Sequence, residues 1–277
     1  MAKRRTRNKP SRRSRGRGGK SDNNWLWMIT IIGCLGLVVG VAVVAQNLIA
    51  KSKIDEVTLC HSGGPHNVTS ILLDLTDPLS ETQQVRLKTI LSNEVSGSSV
   101  DTMIALGIVS ENPSRWGAMF AKCKPASGQD ANSLYENPAI IAARYDREFT
   151  TPIQSTLQSM LTGASEKQSP IMEALQSLVA ETPNFSQARG HRKIVIVSDM
   201  LQHSNYLSFY RGQGWDYFVG EVGERRLAGN LAGVTIEILR IPRSGKIPSN
   251  EITEGFWARY FDKQGSRPPS VSSLGDL

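Results

Sequence analysis

The chain has 277 residues, a formal net charge of +7 and 39% hydrophobic residues. Residues 1–24 carry ten Lys or Arg against Asp22, a net of +9, which leaves −2 for everything after them. The basic balance therefore belongs to the tail and does not indicate a nucleic-acid-binding folded domain, while the roughly 225 residues beyond the apolar segment suffice for one α/β domain with a substantial core.

In chain order, residues 1–24 form a basic tail rich in Gly and Ser, with no apolar side chain after Ala2. Such a segment buries too little surface to fold and reads as disordered. Its charge suits a topology signal that keeps it in the cytoplasm. The same charge suits an arm in which residues 3–20 bind anionic lipid or nucleic acid.

Residues 25–50 follow as one apolar stretch, in which Thr30 is the only clearly polar side chain from Trp25 to Ala45. That length crosses a hydrocarbon core as a helix. The ten basic residues before it outweigh Lys51 and Lys53, which are trailed by Asp55 and Glu56. The expected arrangement is a single pass through a bacterial inner membrane, N-terminus cytoplasmic and C-terminal domain periplasmic. Val43-Val44-Ala45 resembles a signal-peptidase site, but the long basic region and long apolar run favour an uncleaved anchor. Ile31-Ile32-Gly33-Cys34 loosely resembles a lipobox, and Gly36 with Gly40 forms a GxxxG pair.

With Cys34 in the apolar segment, Cys60 and Cys123 remain outside it. An even pair in an oxidising compartment predicts a Cys60–Cys123 disulfide; two buried thiols are the alternative.

Residues 51–67 read as a polar stalk, 68–265 as the folded domain and 266–277 as a polar tail. Val68–Leu73 predicts a buried strand entering Asp74. Ser80 followed by Gln83 is a capping-box pattern, so a helix starts there and carries Leu87, Ile90, Leu91 and Val95 on one face. Thr102–Val109 predicts the next strand and Trp116–Ala121 a short edge strand. Residues 122–137 read as irregular. A long helical run from Ile141 to Leu161 follows, kinked or restarted at Pro152. Ser169-Pro170 opens another helix, with Ser169 as its cap. Lys193–Ser198 reads as a central strand ending at Asp199. Residues 200–220 form a Tyr/Phe-rich loop, Gly220–Leu231 a short helix, and Val234–Ile241 a strand. A closing helix carries Phe256, Trp257, Tyr260 and Phe261. Strands alternating with helices predict a doubly wound, mostly parallel sheet covered on both faces.

Ligands of such sheets bind beyond the carboxyl ends of the strands. Three loops there supply hard oxygen atoms: Asp74 to Ser80, Ser169-Pro170 and Ser198-Asp199. Carboxylate and hydroxyl oxygens are what Mg²⁺ selects. On these residues the chain resembles a von Willebrand factor A-type (vWA) domain. That family places Asp-x-Ser-x-Ser after its first strand, a Thr in a middle loop and an Asp after a later strand. Asp74 and Thr76 match the first loop, Ser169-Pro170-Ile171-Met172-Glu173 resembles the middle motif, and Ile196-Val197-Ser198-Asp199 the last. The resemblance covers about residues 68–264. It implies a Mg²⁺ or Mn²⁺ site at Asp74, Thr76, Asp77, Ser169 and Asp199. The departures are Pro78 at the third loop position, the extra carboxylate of Asp77, and Met200 where a glycine commonly follows the last aspartate. The alternative is a hydrogen-bonded turn at Asp74, Thr76 and Asp77, with Ser169 as a helix cap.

Cys60, His61 and His66 are a weaker soft-metal candidate. Ser198, His203 and Asp199 allow a hydrolase triad to be drawn, but neighbours on one loop rarely present that geometry, and no Gly-x-Ser-x-Gly elbow occurs. Tyr206, Phe209, Tyr210 and Trp215 are candidate partner-binding residues; the alternative is that this aromatic loop folds back on the core. The sequence thus predicts a non-enzymatic, membrane-anchored, protein-binding component of an envelope assembly. A periplasmic hydrolase-type enzyme, or a tether acting through its basic arm, are the alternatives.

Overall fold

Four strands of six to eight residues form the centre of one sheet. The computed structural model describes residues 24–51, 54–131, 136–163, 165–223, 229–243, 248 and 250–275. The basic tail, with its lipid- or nucleic-acid-binding reading, lies outside the described residues. The chain divides into two compact units, Met1–Ala50 and Lys51–Leu277.

In the first unit, α1 (Asn24–Lys51) is one continuous helix. Its stretch Trp27–Gln46, 20 residues, is long and apolar enough to cross a membrane. At 1.5 Å per residue that stretch spans about 30 Å, the thickness of a hydrocarbon core. A membrane anchor and a signal sequence both fit this helix.

In the second unit, β1 (Asn67–Asp74), β2 (Thr102–Val109), β4 (Arg192–Ser198) and β5 (Thr235–Arg240) run parallel. β3 (Phe120–Cys123) pairs antiparallel with β2, and β6 (Ser270–Ser273) pairs parallel with β5. The order across the sheet is β3-β2-β1-β4-β5-β6. Side chains alternate between faces along each strand. Val68, Leu72, Met103, Ala105, Ile194 and Ile196 enter one core, with α5 (Ile171–Glu181) and α7 (Asn250–Asp262). Ile71, Leu73, Ile104, Leu106, Val195 and Val197 enter the other, with α2 (Glu81–Gly97) and α4 (Thr151–Leu161). Because both faces are covered, β2 and the Ile194–Val197 stretch of β4 read as apolar runs rather than as alternation, while β5 keeps the polar Glu237 at a half-buried position. The fold is the doubly wound, mostly parallel arrangement expected.

Local chemistry sets the helix boundaries. The Ser80 hydroxyl accepts from the Gln83 N–H, and the Gln83 side chain accepts from the Ser80 N–H, a complete capping box. Pro152 has no N–H to donate, and the run expected to bend there divides into α3 (Pro138–Tyr145), a wider π turn over Asp146–Thr150, and α4. α5 starts one residue later than expected, with Pro170 at the cap and no side-chain cap of its own. Gln202 fills that role from another loop: its Oε1 accepts from the Met172 N–H at 2.9 Å.

Several boundaries differ from expectation. The edge strand lies at Phe120–Cys123 rather than Trp116–Ala121. Short turns at Phe209–Arg211, Trp215–Tyr217 (α6) and Phe218–Val222 occupy the aromatic loop. Of the helix expected over Gly220–Leu231, residues 220–222 belong to the turn that Gly223, at φ +63°, ends, and residues 224–228 lie outside the described residues. The polar tail 266–277 contains β6, and Leu274 beyond it is fully buried. The stalk is folded too. Ile54 bridges to His61, and Cys60 is joined to Cys123 of β3 with a Cα–Cα distance of 4.9 Å. Cys60 is thereby committed and cannot ligate a soft metal with His61 and His66.

Candidate functional site

The sheet order reverses between β1 and β4: the chain winds outward from β1 through β2 and β3, then returns to β4 on the opposite side. A crevice opens at such a switch point, beyond the carboxyl ends of the two strands. Asp74 is the last residue of β1 and Ser198 the last of β4, so both reach it.

Asp74 is buried and organises the crevice floor. Its Oδ1 accepts from the Thr76 hydroxyl at 2.7 Å, and its Oδ2 from the hydroxyls of Ser169 at 2.8 Å and Ser198 at 2.7 Å. Three hydroxyls from three separate segments thus converge on one carboxylate. A buried carboxylate is tolerable only with such donors. Ser169 does not cap α5; its side chain goes to Asp74 and its backbone pairs reciprocally with His203 at 2.8 and 2.9 Å. Sequence reasoning placed Ser198 on the loop without giving it this role.

Asp199 faces the same crevice. Its Oδ1 accepts from the Leu201 N–H at 2.9 Å, and its Oδ2 from Nε of Arg243 at 2.8 Å. Arg243 also reaches the Asp77 carboxylate at 3.3 Å. Burial pushes the Asp199 carboxyl above its ordinary range and the charge of Asp74 adds to the shift, while Leu201 N–H and Arg243 oppose it. A cavity of about 300 Å³ opens here, lined by Asp77, Ser169, Asp199, His203 and Tyr210 among others.

Glu166 braces the opposite rim. Its N–H donates to the Thr76 carbonyl at 2.9 Å, and its carboxylate takes the Ser110 hydroxyl at 2.9 Å, the Glu111 N–H and Arg115 at 3.2 Å. It ties the loops after β1 and β2 to the segment before α5. No local pattern in the sequence marks Glu166 or Arg243, because their partners lie far away in the chain.

The aromatic candidates separate into two groups. Tyr206 and Tyr210 are exposed, at 50% and 55%, and Tyr210 lines the cavity. Phe209 and Trp215 do not fit a contact surface. Phe209 is buried with its ring 5.1 Å from Phe256, and Trp215 is half-buried against Phe218 at 5.3 Å and Phe256 at 5.9 Å. α7 supplies the aromatic wall that draws them inward. Burial, with the neighbouring Asp199 and Asp77 charges, pushes the Tyr210 phenol up, so it presents a neutral hydroxyl. His203 donates to or accepts from Ser208 Oγ at 2.8 Å, and burial with Arg211 lowers its pKa.

The drawn triad of Ser198, His203 and Asp199 is not assembled. Ser198 is fully buried with its hydroxyl on Asp74, His203 Nδ1 is on Ser208, and Asp199 is held by Leu201 and Arg243.

Domains of the vWA type can bind a metal ion, and Mg²⁺ or Mn²⁺ is what the resemblance implies. Asp74, Thr76 and Ser169 offer suitable hard oxygens. As folded, however, the whole set does not fit a divalent ion. The outer oxygen of Asp199 and the carboxylate of Asp77 are engaged by the Arg243 guanidinium, and Pro78 has no side-chain donor. Among the described residues no three His, Cys, Asp or Glu side chains converge as metal ligands.

No family model matches the sequence, and no curated protein matches it. Similar solved structures include a von Willebrand factor type A protein from Catenulispora acidiphila, with 13% identity and TM-score 0.36, covering 76% of this chain and 39% of that one. An aerotolerance-related membrane protein from Bacteroides fragilis gives 13% identity and TM-score 0.37, covering 74% and 90%. The PilB minor pilin from Streptococcus sanguinis gives 12% identity and TM-score 0.41, covering 77% and 58%. Likeness at that level says nothing of ligand or activity.

Proposed function

We propose that this chain is a non-enzymatic, single-pass protein of a bacterial inner membrane, N-terminus cytoplasmic and vWA-like domain periplasmic. It recognises another protein at the carboxyl edge of its sheet, as the anchored component of an envelope assembly. What carries the reading is one observation: three loops from distant parts of the chain converge on Asp74 and open into a cavity lined by exposed Tyr210, with exposed Tyr206 on the same loop. Exposed tyrosines around a rigid polar pocket are a common make-up for a protein-recognition surface. The long apolar α1 and the basic residues before it support the anchor and its orientation.

The test is crosslinking of the full-length protein in membranes, followed by pulldown, with a Tyr206→Ala/Tyr210→Ala variant beside the wild type. Both tyrosines are exposed, so the variant retains the fold. The reading expects one or more defined envelope proteins recovered with the wild type and at least tenfold less with the variant. Equal recovery with both proteins, or recovery of lipids and chaperones alone, refutes it.

A further inference from the structure

Two departures from the vWA pattern meet in space. Asp77 is a carboxylate where the family usually has none, and Arg243, just beyond the carboxyl end of β5, is a cation that no motif requires. Arg243 lies between Asp77 and Asp199, with Nε 2.8 Å from Asp199 Oδ2 and Nη2 3.3 Å from Asp77 Oδ2. We propose that Arg243 is the resident cation of this site: its guanidinium, clamped between Asp77 and Asp199, takes the place of a divalent metal and keeps one out.

Three features support this. First, the charges need a counter-ion. Asp74 and Asp199 share the crevice, and Asp199 is nearly buried, so a cation beside it is favoured by simple electrostatics. Arg243 meets that need from within the chain. Second, the guanidinium takes the position a metal would need. It occupies the Asp199 oxygen left over after the Leu201 N–H, and it holds a fixed positive charge that a +2 ion at the same carboxylates would face across a short distance. Arginine does not give up its proton to relieve that repulsion. Third, this arrangement gives Asp77 an ion-pair partner. Its side chain is 54% exposed and its ion-pair partner is Arg243, so it works as the outer anchor that holds the guanidinium over Asp199. The inference concerns the cation alone and stands whether or not the protein-recognition reading holds.

The test uses full-length protein in detergent micelles and Mn²⁺ as the probe, with free Mn²⁺ followed by electron paramagnetic resonance. Four proteins are compared: wild type, Arg243→Met, Arg243→Lys and Arg243→Met/Asp199→Asn. Near-ultraviolet circular dichroism checks the fold of each. The wild type and Arg243→Lys are expected to show no stoichiometric Mn²⁺ binding. Arg243→Met, which keeps the apolar stem of the side chain without its charge, is expected to bind one Mn²⁺ at least tenfold more tightly than the wild type. Adding Asp199→Asn removes that gain. Should Arg243→Met unfold, Asp77→Asn supplies the second variant: it frees one anchor at an exposed position and gives a smaller gain in Mn²⁺ affinity. Stoichiometric binding by the wild type overturns the proposal. So does the failure of both Arg243→Met and Asp77→Asn, when folded, to bind more tightly than the wild type, because Pro78 rather than Arg243 would then exclude the metal.

Discussion

Replacing Asp74 with Asn isolates what the buried carboxylate does. The change keeps shape and volume but turns two acceptor oxygens into one acceptor and one donor. Thr76, Ser169 and Ser198 donate to Asp74 at 2.7, 2.8 and 2.7 Å. If the amide oxygen keeps Ser169 and Ser198, the amide nitrogen faces Thr76, whose hydroxyl must then turn and accept. Two charge-assisted bonds become neutral ones and the third reverses. A hydrogen bond to a charged group contributes about 1.5–3 kcal/mol against about 1 for a neutral one, so the gross loss is about 3 kcal/mol. Removing a negative charge beside Asp199 offsets part of it. A net loss of about 2 kcal/mol lowers Tm by about 4–8 °C in a domain of this size.

A second signature separates this account from general loosening. The charge of Asp74 is one of the causes holding the Asp199 carboxyl above its ordinary range. With Asn at position 74 that carboxyl titrates lower than in the wild type. The assay is a thermal melt of the full-length protein in detergent, paired with a carboxyl-carbon NMR titration of Asp199. A Tm equal to or above that of the wild type, with Asp199 unmoved, would refute the claim that Asp74 is the acceptor on which the loops converge.

Three further outcomes are expected. Reducing the Cys60–Cys123 bond, which closes a sequence separation of 63, removes about 4 kcal/mol by chain entropy and lowers Tm in reducing against non-reducing buffer; an unchanged melt in both buffers contradicts it. Ser80→Ala removes the half of the capping box in which the Ser80 hydroxyl accepts from the Gln83 N–H and costs about 1 kcal/mol, read as a lower urea midpoint, whereas Ser80→Asp keeps most of the stability. His203 is harder to protonate in the fold than at its ordinary value of 6.5. Its contribution is therefore present above that pH and lost as pH falls through the lower folded value. His203→Gln should give a flatter stability curve below pH 6.5 than the wild type, measured by urea unfolding across that range.

The parts of this structure legible in the sequence are those with a local cause. β2 and the Ile194–Val197 stretch of β4 are buried on both faces and read as apolar runs; α2 announces itself through Ser80 and Gln83. The loops bearing Asp74, Ser169 and Asp199 were legible because alternating elements imply a sheet edge where such loops meet. β6 was not, since all four of its side chains are exposed and only its backbone pairing with β5 defines it. Whether Phe209 and Trp215 face a partner or the core was not legible from their own loop. The wall that buries them, Phe256 with Trp257, arrives from α7 more than 40 residues later. Arg243 and Asp199 are 44 residues apart and Glu166 and Ser110 are 56 apart, so no window along the chain contains either pair.

Met200 shows how the departures around the site belong together. It stands where a glycine is common and adopts φ +64°, a left-handed conformation that costs a side-chain-bearing residue about 1–2 kcal/mol. What offsets the strain lies on all sides of the residue. Its side chain is buried in the core, worth about 1.5–3 kcal/mol. Its N–H donates to the Ser198 hydroxyl at 2.7 Å, and its carbonyl accepts from the Trp257 indole at 2.8 Å. The loop after β4 is thereby fastened to α7 and to the hydroxyl that serves Asp74. Asp199, the next residue back, is held at a fixed place by the protein alone. Asp77 and Arg243 do the same on the outer side of that carboxylate. Each departure replaces with an internal contact something that a bound cation or a flexible glycine would otherwise leave adjustable. A site built this way is ordered within the chain itself, so the docking proposed at Tyr206 and Tyr210 requires little further ordering there.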